Sequence, residues 1–225
     1  MSQSKTDQFP TIHFEPRWPV ALATIAVLLM LAKLPDRIML FPAWFPYVLG
    51  IAMLVPTITV SLVSVKEQWL KIERVVTLLF CLIGGVATVA NITNLITAMI
   101  HRSKEIDGLQ LLTSSVIVWV SNVIVFALLY WQIDRGGPDA RANNRSPKPD
   151  WLFPQEGAPT EDLPVDWRPA FVDYLFLGFC TATAFSPTDV LPLSPRAKML
   201  MMLECTISLM TIVIVGSRAI NILGG

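Results

Sequence analysis

Residues 109–133 read LQLLTSSVIVWVSNVIVFALLYWQI, 25 positions without one charged side chain. Wound as an α-helix they extend about 37 Å, more than the roughly 30 Å hydrocarbon core of a bilayer. This stretch marks the chain as an all-α membrane protein, and its surroundings repeat the pattern. Residues 75–100 carry no charge over 26 positions, and residues 38–65 none over 28. Residues 18–34 form the shortest run, with Lys33 able to reach the interface along its own methylenes. Residues 199–215 form the last, interrupted only by Glu204 and extended past Arg218 to Leu223. The expectation is about five transmembrane helices. Pro42 and Pro46 make the first turns of the second run irregular, so its helix proper should start near Phe45, and Pro56 should kink it. Trp18, Trp44, Trp69 and Trp131 fall near run ends, where indole rings favour the headgroup layer, whereas Trp119 falls mid-run and needs a packing reason.

Composition agrees. The 225 residues are 53% hydrophobic and only 15% charged, against about 25% charged in soluble domains. Seventeen basic and seventeen acidic residues cancel, leaving no global positive field to recruit nucleic acid. The three cysteines, Cys81, Cys180 and Cys205, lie in or beside apolar runs and read as small core residues. His13 and His101 have no second ligand at metal spacing. No metal site, cofactor motif or catalytic set is expected, so the chain does not read as an enzyme. The segment before the first run contains Asp7, Glu15, Pro10 and Pro16, and no small-x-small site follows that run, so the run is expected to be retained rather than cleaved as a signal peptide.

Residues 134–169 differ in kind. They are polar and rich in proline and glycine, and they read as a solvated loop without regular structure. Residues 171–185, FVDYLFLGFCTATAF, are apolar but too short to span and carry Asp173. A short re-entrant helix fits them, dipping into the bilayer and returning to its own side, and an interfacial helix is the other reading. With five crossings, twelve lysines and arginines lie on the N-terminal side and five on the other, with Lys66, Lys71 and Arg74 in a short loop the best witnesses. The N-terminus is therefore expected in the cytoplasm. The domain layout is a cytoplasmic tail (1–17), three N-terminal transmembrane helices (18–108) and a C-terminal module (109–225). That module comprises a transmembrane helix (109–133), a polar loop (134–169), a re-entrant helix (170–186) and a last transmembrane helix (197–223).

The order helix, polar loop, short apolar helix, turn, helix resembles the two-helix pore module of potassium-type ion channels. Residues 171–189 read FVDYLFLGFCTATAFSPTD and VLPLSPRAK follows. Such pore helices run through an aromatic-rich stretch to T-x-T-x-V-G-Y-G-D, then an apolar residue, x-P-x-T and a basic residue. Thr181, Thr183, Asp189, Val190, Pro192 and Ser194 stand in matching positions, with Phe185 at the valine position. The two filter glycines are replaced by Ser186 and Thr188 and the tyrosine by Pro187. Serine and threonine are strained at positive φ and proline cannot adopt it, so a potassium-selective carbonyl ladder is not expected here. The whole chain resembles a family of uncharacterised bacterial inner-membrane proteins with several helices and a channel-like end carrying a degenerate filter. The resemblance implies a homo-oligomer (a tetramer if channel-like) and monovalent cations as permeant partners. In potassium channels the pore loop faces outside, whereas the charge count puts residues 171–189 on the cytoplasmic side. A membrane interaction or assembly protein that keeps the pore-like fold without conducting is the alternative. A membrane enzyme or transporter finds no motif and no duplicated half.

Polar groups within the runs are the remaining candidates. Glu204 is costly at depth, so it either lines a cavity and binds protons or cations, or pairs with Arg196 or Lys198 near the surface. Asn91 and Asn94, with Thr88, Thr93 and Thr97, form a polar stripe for helix–helix hydrogen bonds or a solute path. Thr113, Ser114, Ser115, Ser121 and Asn122 offer the same choice. Gly84 and Gly85 allow a neighbouring helix to approach closely, and Arg218 with Asn221 anchors the last helix.

Overall fold

The structure is a computed structural model and describes residues 15–34, 41–42, 44–62, 67–101, 108–143, 148–159, 161, 167–183 and 190–223. Its helices are α1 (Trp18–Leu31), α2 (Phe45–Leu62), α3 (Glu67–His101), α4 (Gly108–Ile133), α5 (Pro138–Ala142), α6 (Phe171–Thr183) and α7 (Pro195–Leu223). The all-α expectation holds. Among the described residues three segments are long and apolar enough to cross a membrane: Gln68–Thr97, Leu109–Gly136 and Pro195–Ser217. The other apolar helices are shorter. α1 has 14 residues, about 21 Å of rise, and α2 runs through Pro56 without interruption.

α4 is the axis of the fold. It packs against α3, α6, α7 and α1, and every residue from Ser121 to Leu128 is buried. The outer faces of its neighbours stay bare: Leu22 and Leu29 on α1, Ile51 and Val55 on α2, Leu82 and Val86 on α3, Met202 and Val213 on α7. A soluble monomer seldom exposes apolar surface on this scale. A bilayer supplies the missing contacts, which is compatible with a membrane protein.

The expectation of an unstructured polar loop at 134–169 is corrected. The described part is folded. α4 unwinds through a 3₁₀ turn (Asp134–Gly136), with positive φ at Arg135, Gly136 and Gly137. Gly137 is required there, because φ is +100° and a Cβ would lie 3.1 Å from the Gln132 carbonyl oxygen. Pro138 then starts α5 at a position where a missing N–H costs nothing. Further on, β1 (Trp151–Leu152) pairs antiparallel with β2 (Leu191–Pro192), and Trp151 is completely buried. Proline-rich composition misled because this segment is held by side-chain ion pairs and hydrogen bonds and by a two-residue ladder to β2, all with partners distant in the chain.

Both ends of the α6 excursion lie at the same end of the bundle. The Phe171 N–H donates to Glu15 at 3.0 Å, next to the end of α4. From there α6 runs back along α4, from Trp131 against Phe171 to Trp119 against Phe179. Strand β2 returns the chain to Trp151, and α7 starts beside Asp150. Local signals set both helix starts. Asp173 accepts from the Ala170 N–H while its own N–H donates to the Ala170 carbonyl. The Ser194 hydroxyl accepts from the Ala197 N–H, and Pro195 follows in the first turn.

Candidate functional site

Two polar assemblies sit inside this scaffold. The first surrounds Glu204, which is fully buried where α4, α6 and α7 meet. The Tyr130 hydroxyl donates to its Oε2 at 2.5 Å, and Oε1 has no hydrogen-bond partner among the described residues. α6 presents Gly178 there: a Cβ would lie 3.3 Å from Glu204 Oε1 and 3.2 Å from the Val123 carbonyl oxygen. Glycine therefore makes room for the carboxyl group. Deeper along the same helices, the Asn122 amide donates to the Ser208 hydroxyl at 3.0 Å, both groups buried. The expected surface pairing of Glu204 with Arg196 or Lys198 is corrected: Arg196 binds Asp150 instead, and Glu204 has no ion pair among the described residues. The reason is helical phase, which turns Glu204 inward onto Tyr130.

The second assembly closes the end of the bundle where α4 stops. Arg17 is buried and binds Glu73 at 3.1 Å and Asp139 at 2.8 Å, with its guanidinium 5.2 Å from the Trp131 ring centre. Glu15 accepts from Trp131 Nε1 at 2.6 Å and from Arg141 at 3.2 Å. Trp131, expected as an interfacial anchor, is thus a buried strut. Asp134 accepts from the Asp150 N–H at 2.8 Å and the Tyr174 hydroxyl at 2.5 Å. Asp150 in turn accepts from Ser194 at 2.5 Å and Arg196 Nε at 2.6 Å. Arg141 donates to the Trp131 and Asp134 carbonyls, satisfying helix-end acceptors that α4 leaves open. Asp173 lies at the edge of this assembly, and burial pushes its carboxyl above the usual range despite the backbone N–H groups that bind it.

The filter-like set is only partly placed. Thr181 is buried and donates to the Leu177 carbonyl of its own helix. Thr183 donates to Phe179 and Cys180 at the end of α6. Phe185, Ser186, Pro187, Thr188 and Asp189 lie outside the described residues, as do the side chains of Arg218 and Asn221. Asn91 is not near Glu204. Among the described residues its buried Oδ1 finds no partner, like the Ser121 hydroxyl, and both residues line a small cavity of about 60 Å³ between α1, α2, α3 and α4. That volume suits a water or two. Asn94 is half-buried and partnered. Of the two expected small residues, Gly84 does admit a close neighbour, Val125 at 3.1 Å, whereas Gly85 faces open space. Trp119 finds its packing reason in Phe179, edge to face at 6.0 Å.

Sequence reading missed Tyr130, Gly178, Asp134, Asp150 and Glu15 as parts of these assemblies. Asp134 and Glu15 carried one signal, a charge at the edge of an apolar run. Their partners lie far along the chain, beyond any spacing rule. No group of histidine, cysteine or carboxylate side chains among the described residues could hold a metal ion. The fold and its buried sites define an all-α chain with apolar helices long enough for a membrane. No protein-family model, curated protein or solved structure matches it.

Proposed function

We propose that the chain is a multi-pass protein of the bacterial inner membrane, with five crossings, a cytoplasmic N-terminal end and a channel-like C-terminal module. In this reading α6 is a re-entrant half-helix, and copies of the chain, four if channel-like, assemble around a path for monovalent cations. One observation carries the reading. Phe171 and Ser194 are anchored at the same end of the bundle, through Glu15 and Asp150, while α6 reaches Trp119 deep along α4. Thirteen residues rise about 20 Å, enough to enter a 30 Å core; α1 is only one residue longer, so it is the return of the chain to Trp151 through β2, not length, that supports a re-entrant course for α6. By the resemblance, residues 184–189 hold the sequence positions between pore helix and filter, and Asp189 that of the filter's terminal carboxylate. Purified, folded, oligomeric protein in planar bilayers is expected to conduct, with conductance changed by Asp189→Asn. Silent bilayers under those conditions refute conduction.

A second reading, a non-conducting interaction or assembly protein, draws on the sealing of Glu204 by Tyr130 and Gly178, which keeps the deepest carboxyl of α7 away from any water path within one protomer. Ser186-Pro187-Thr188 in place of a glycine filter points the same way. Recovery of one stable partner in mild detergent, together with silent bilayers, favours this second reading over the first.

A further inference from the structure

Helices α1 to α4 enclose the cavity of about 60 Å³ onto which Asn91 and Ser121 face. Its walls are apolar, with Leu31 from α1, Phe45 and Leu49 from α2, Phe80 from α3 and Val118 and Val125 from α4. Three polar residues break that lining: Thr88 and Asn91 on α3 and Ser121 on α4. Each is only 5% exposed. The Thr88 hydroxyl donates to the Gly84 carbonyl of its own helix at 2.8 Å, which leaves its oxygen able to accept. Among the described residues neither Asn91 Oδ1 nor the Ser121 hydroxyl has a hydrogen-bond partner.

Helix register brings these groups to one level. α3 and α4 run antiparallel, since Arg74 meets Gly136 and Gly84 meets Val125. Counting four residues on from Gly84 and four back from Val125 sets Thr88 opposite Ser121. Asn91 lies three residues further along α3, about 4.5 Å of rise. That offset suits one bridging oxygen, whose two bonds of about 2.8 Å together span up to about 5.6 Å.

The chemistry of the occupant follows from the same groups. Asn91 Oδ1 requires a donor and the Ser121 O–H an acceptor, and one hydroxyl supplies both. No charged side chain lines the cavity, so a metal ion or an anion would enter without a counter-charge. An acyl chain or an aromatic ring would leave both groups unsatisfied. Size agrees: about 60 Å³ is several times the roughly 10–15 Å³ that a water needs and well below the roughly 150 Å³ of a cavity that takes benzene.

We propose that this cavity is a binding site for one small hydroxylic molecule, a water or a short alkanol, whose O–H donates to Asn91 Oδ1 and whose oxygen accepts from Ser121. The bound molecule bridges α3 to α4 beneath the cover of α1 and α2. An alkanol sets its carbons against Val118 and Val125, and a water needs only the polar groups. The inference rests neither on conduction nor on the number of crossings.

The test uses full-length protein in mild detergent, unfolded by denaturant. Asn91→Leu and Ser121→Ala each break the bridge and strand the group at its other end, so each should raise the ratio of unfolded to folded protein about tenfold. The double variant should raise it no further, because both ends of the bridge are then gone. A cavity without an occupant gives the opposite sign: either single variant deletes a buried group that has no partner, and the ratio falls. That sign, or single effects that add in the double variant, overturns the proposal. Wild-type protein decides the source of the hydroxyl, and decides the site itself if a variant does not fold. Val118 lines the cavity and is 2% exposed. With valine methyls labelled and the detergent deuterated, nuclear magnetisation is expected to pass to Val118 from water or from added ethanol. Transfer from water that ethanol leaves unchanged assigns a water. Transfer from the ethanol methyl group, with loss of the water signal, assigns an alkanol. No transfer to Val118 from either probe overturns the site.

Discussion

Tyr130→Phe removes one oxygen from the interior and strands a carboxyl group. Tyr130 and Glu204 are both fully buried, and among the described residues their 2.5 Å hydrogen bond is the one contact that satisfies Glu204, since Oε1 has no partner there. Losing the phenol leaves the carboxyl without a donor, at a cost of about 1–3 kcal/mol. Glu204→Met strands the Tyr130 hydroxyl and should cost about as much. Methionine suits the site because it is unbranched, and Gly178 leaves no room for a branch. Removing both polar groups leaves nothing unsatisfied, so the double variant should be no less stable than either single one. That corresponds to a coupling energy of about 1–3 kcal/mol. Glu204→Gln keeps both the size and an acceptor for Tyr130, and should cost less than about 1 kcal/mol. The assay is denaturant unfolding in mixed micelles, followed by tryptophan fluorescence, because the Trp151 ring lies 4.8 Å from that of Tyr130. Costs of the two single variants that simply add in the double variant would refute the coupling and the satisfied-pair account of Glu204.

Asp150→Ala should release the start of α7 by removing the acceptor for Ser194 and Arg196. A loss of about 1–3 kcal/mol is expected, with red-shifted Trp151 emission and faster proteolysis near residues 190–194. Gly137→Ala forces a side chain into φ +100° and against the Gln132 carbonyl; it should lower stability by about 1–2 kcal/mol in thermal unfolding. Gly157→Ala is the matched control, since an added Cβ there meets nothing within 4 Å, and it should stay within about 0.5 kcal/mol.

Much of the helix layout was legible because its signal is local. A run such as residues 109–133 carries its own evidence, with each apolar residue counting independently of any partner. The short helix at Phe171–Thr183 was legible for the same reason, since length and flanking proline are properties of the segment alone. The polar segment after α4 was not. Asp134, Arg141 and Asp150 look like solvated loop charges until Tyr174, Glu15 and Arg196 are brought to them across 40, 126 and 46 positions of chain. Composition cannot report a pairing at such separations.

The opening stretch shows the same division. Sequence by itself determined that residues 109–133 form a long apolar helix, because 25 uncharged residues can satisfy their backbone only internally when removed from water. It also determined that Glu204 needs a reason to be where it is. Only the tertiary structure decided that this helix is the axis of the fold, that Trp131 at its end is a buried strut and that Tyr130 is the donor to Glu204. The physical reason is that burial and hydrogen bonding belong to pairs of groups. A helix's phase about its own axis, and therefore which pairs form, is set by the neighbours it packs against.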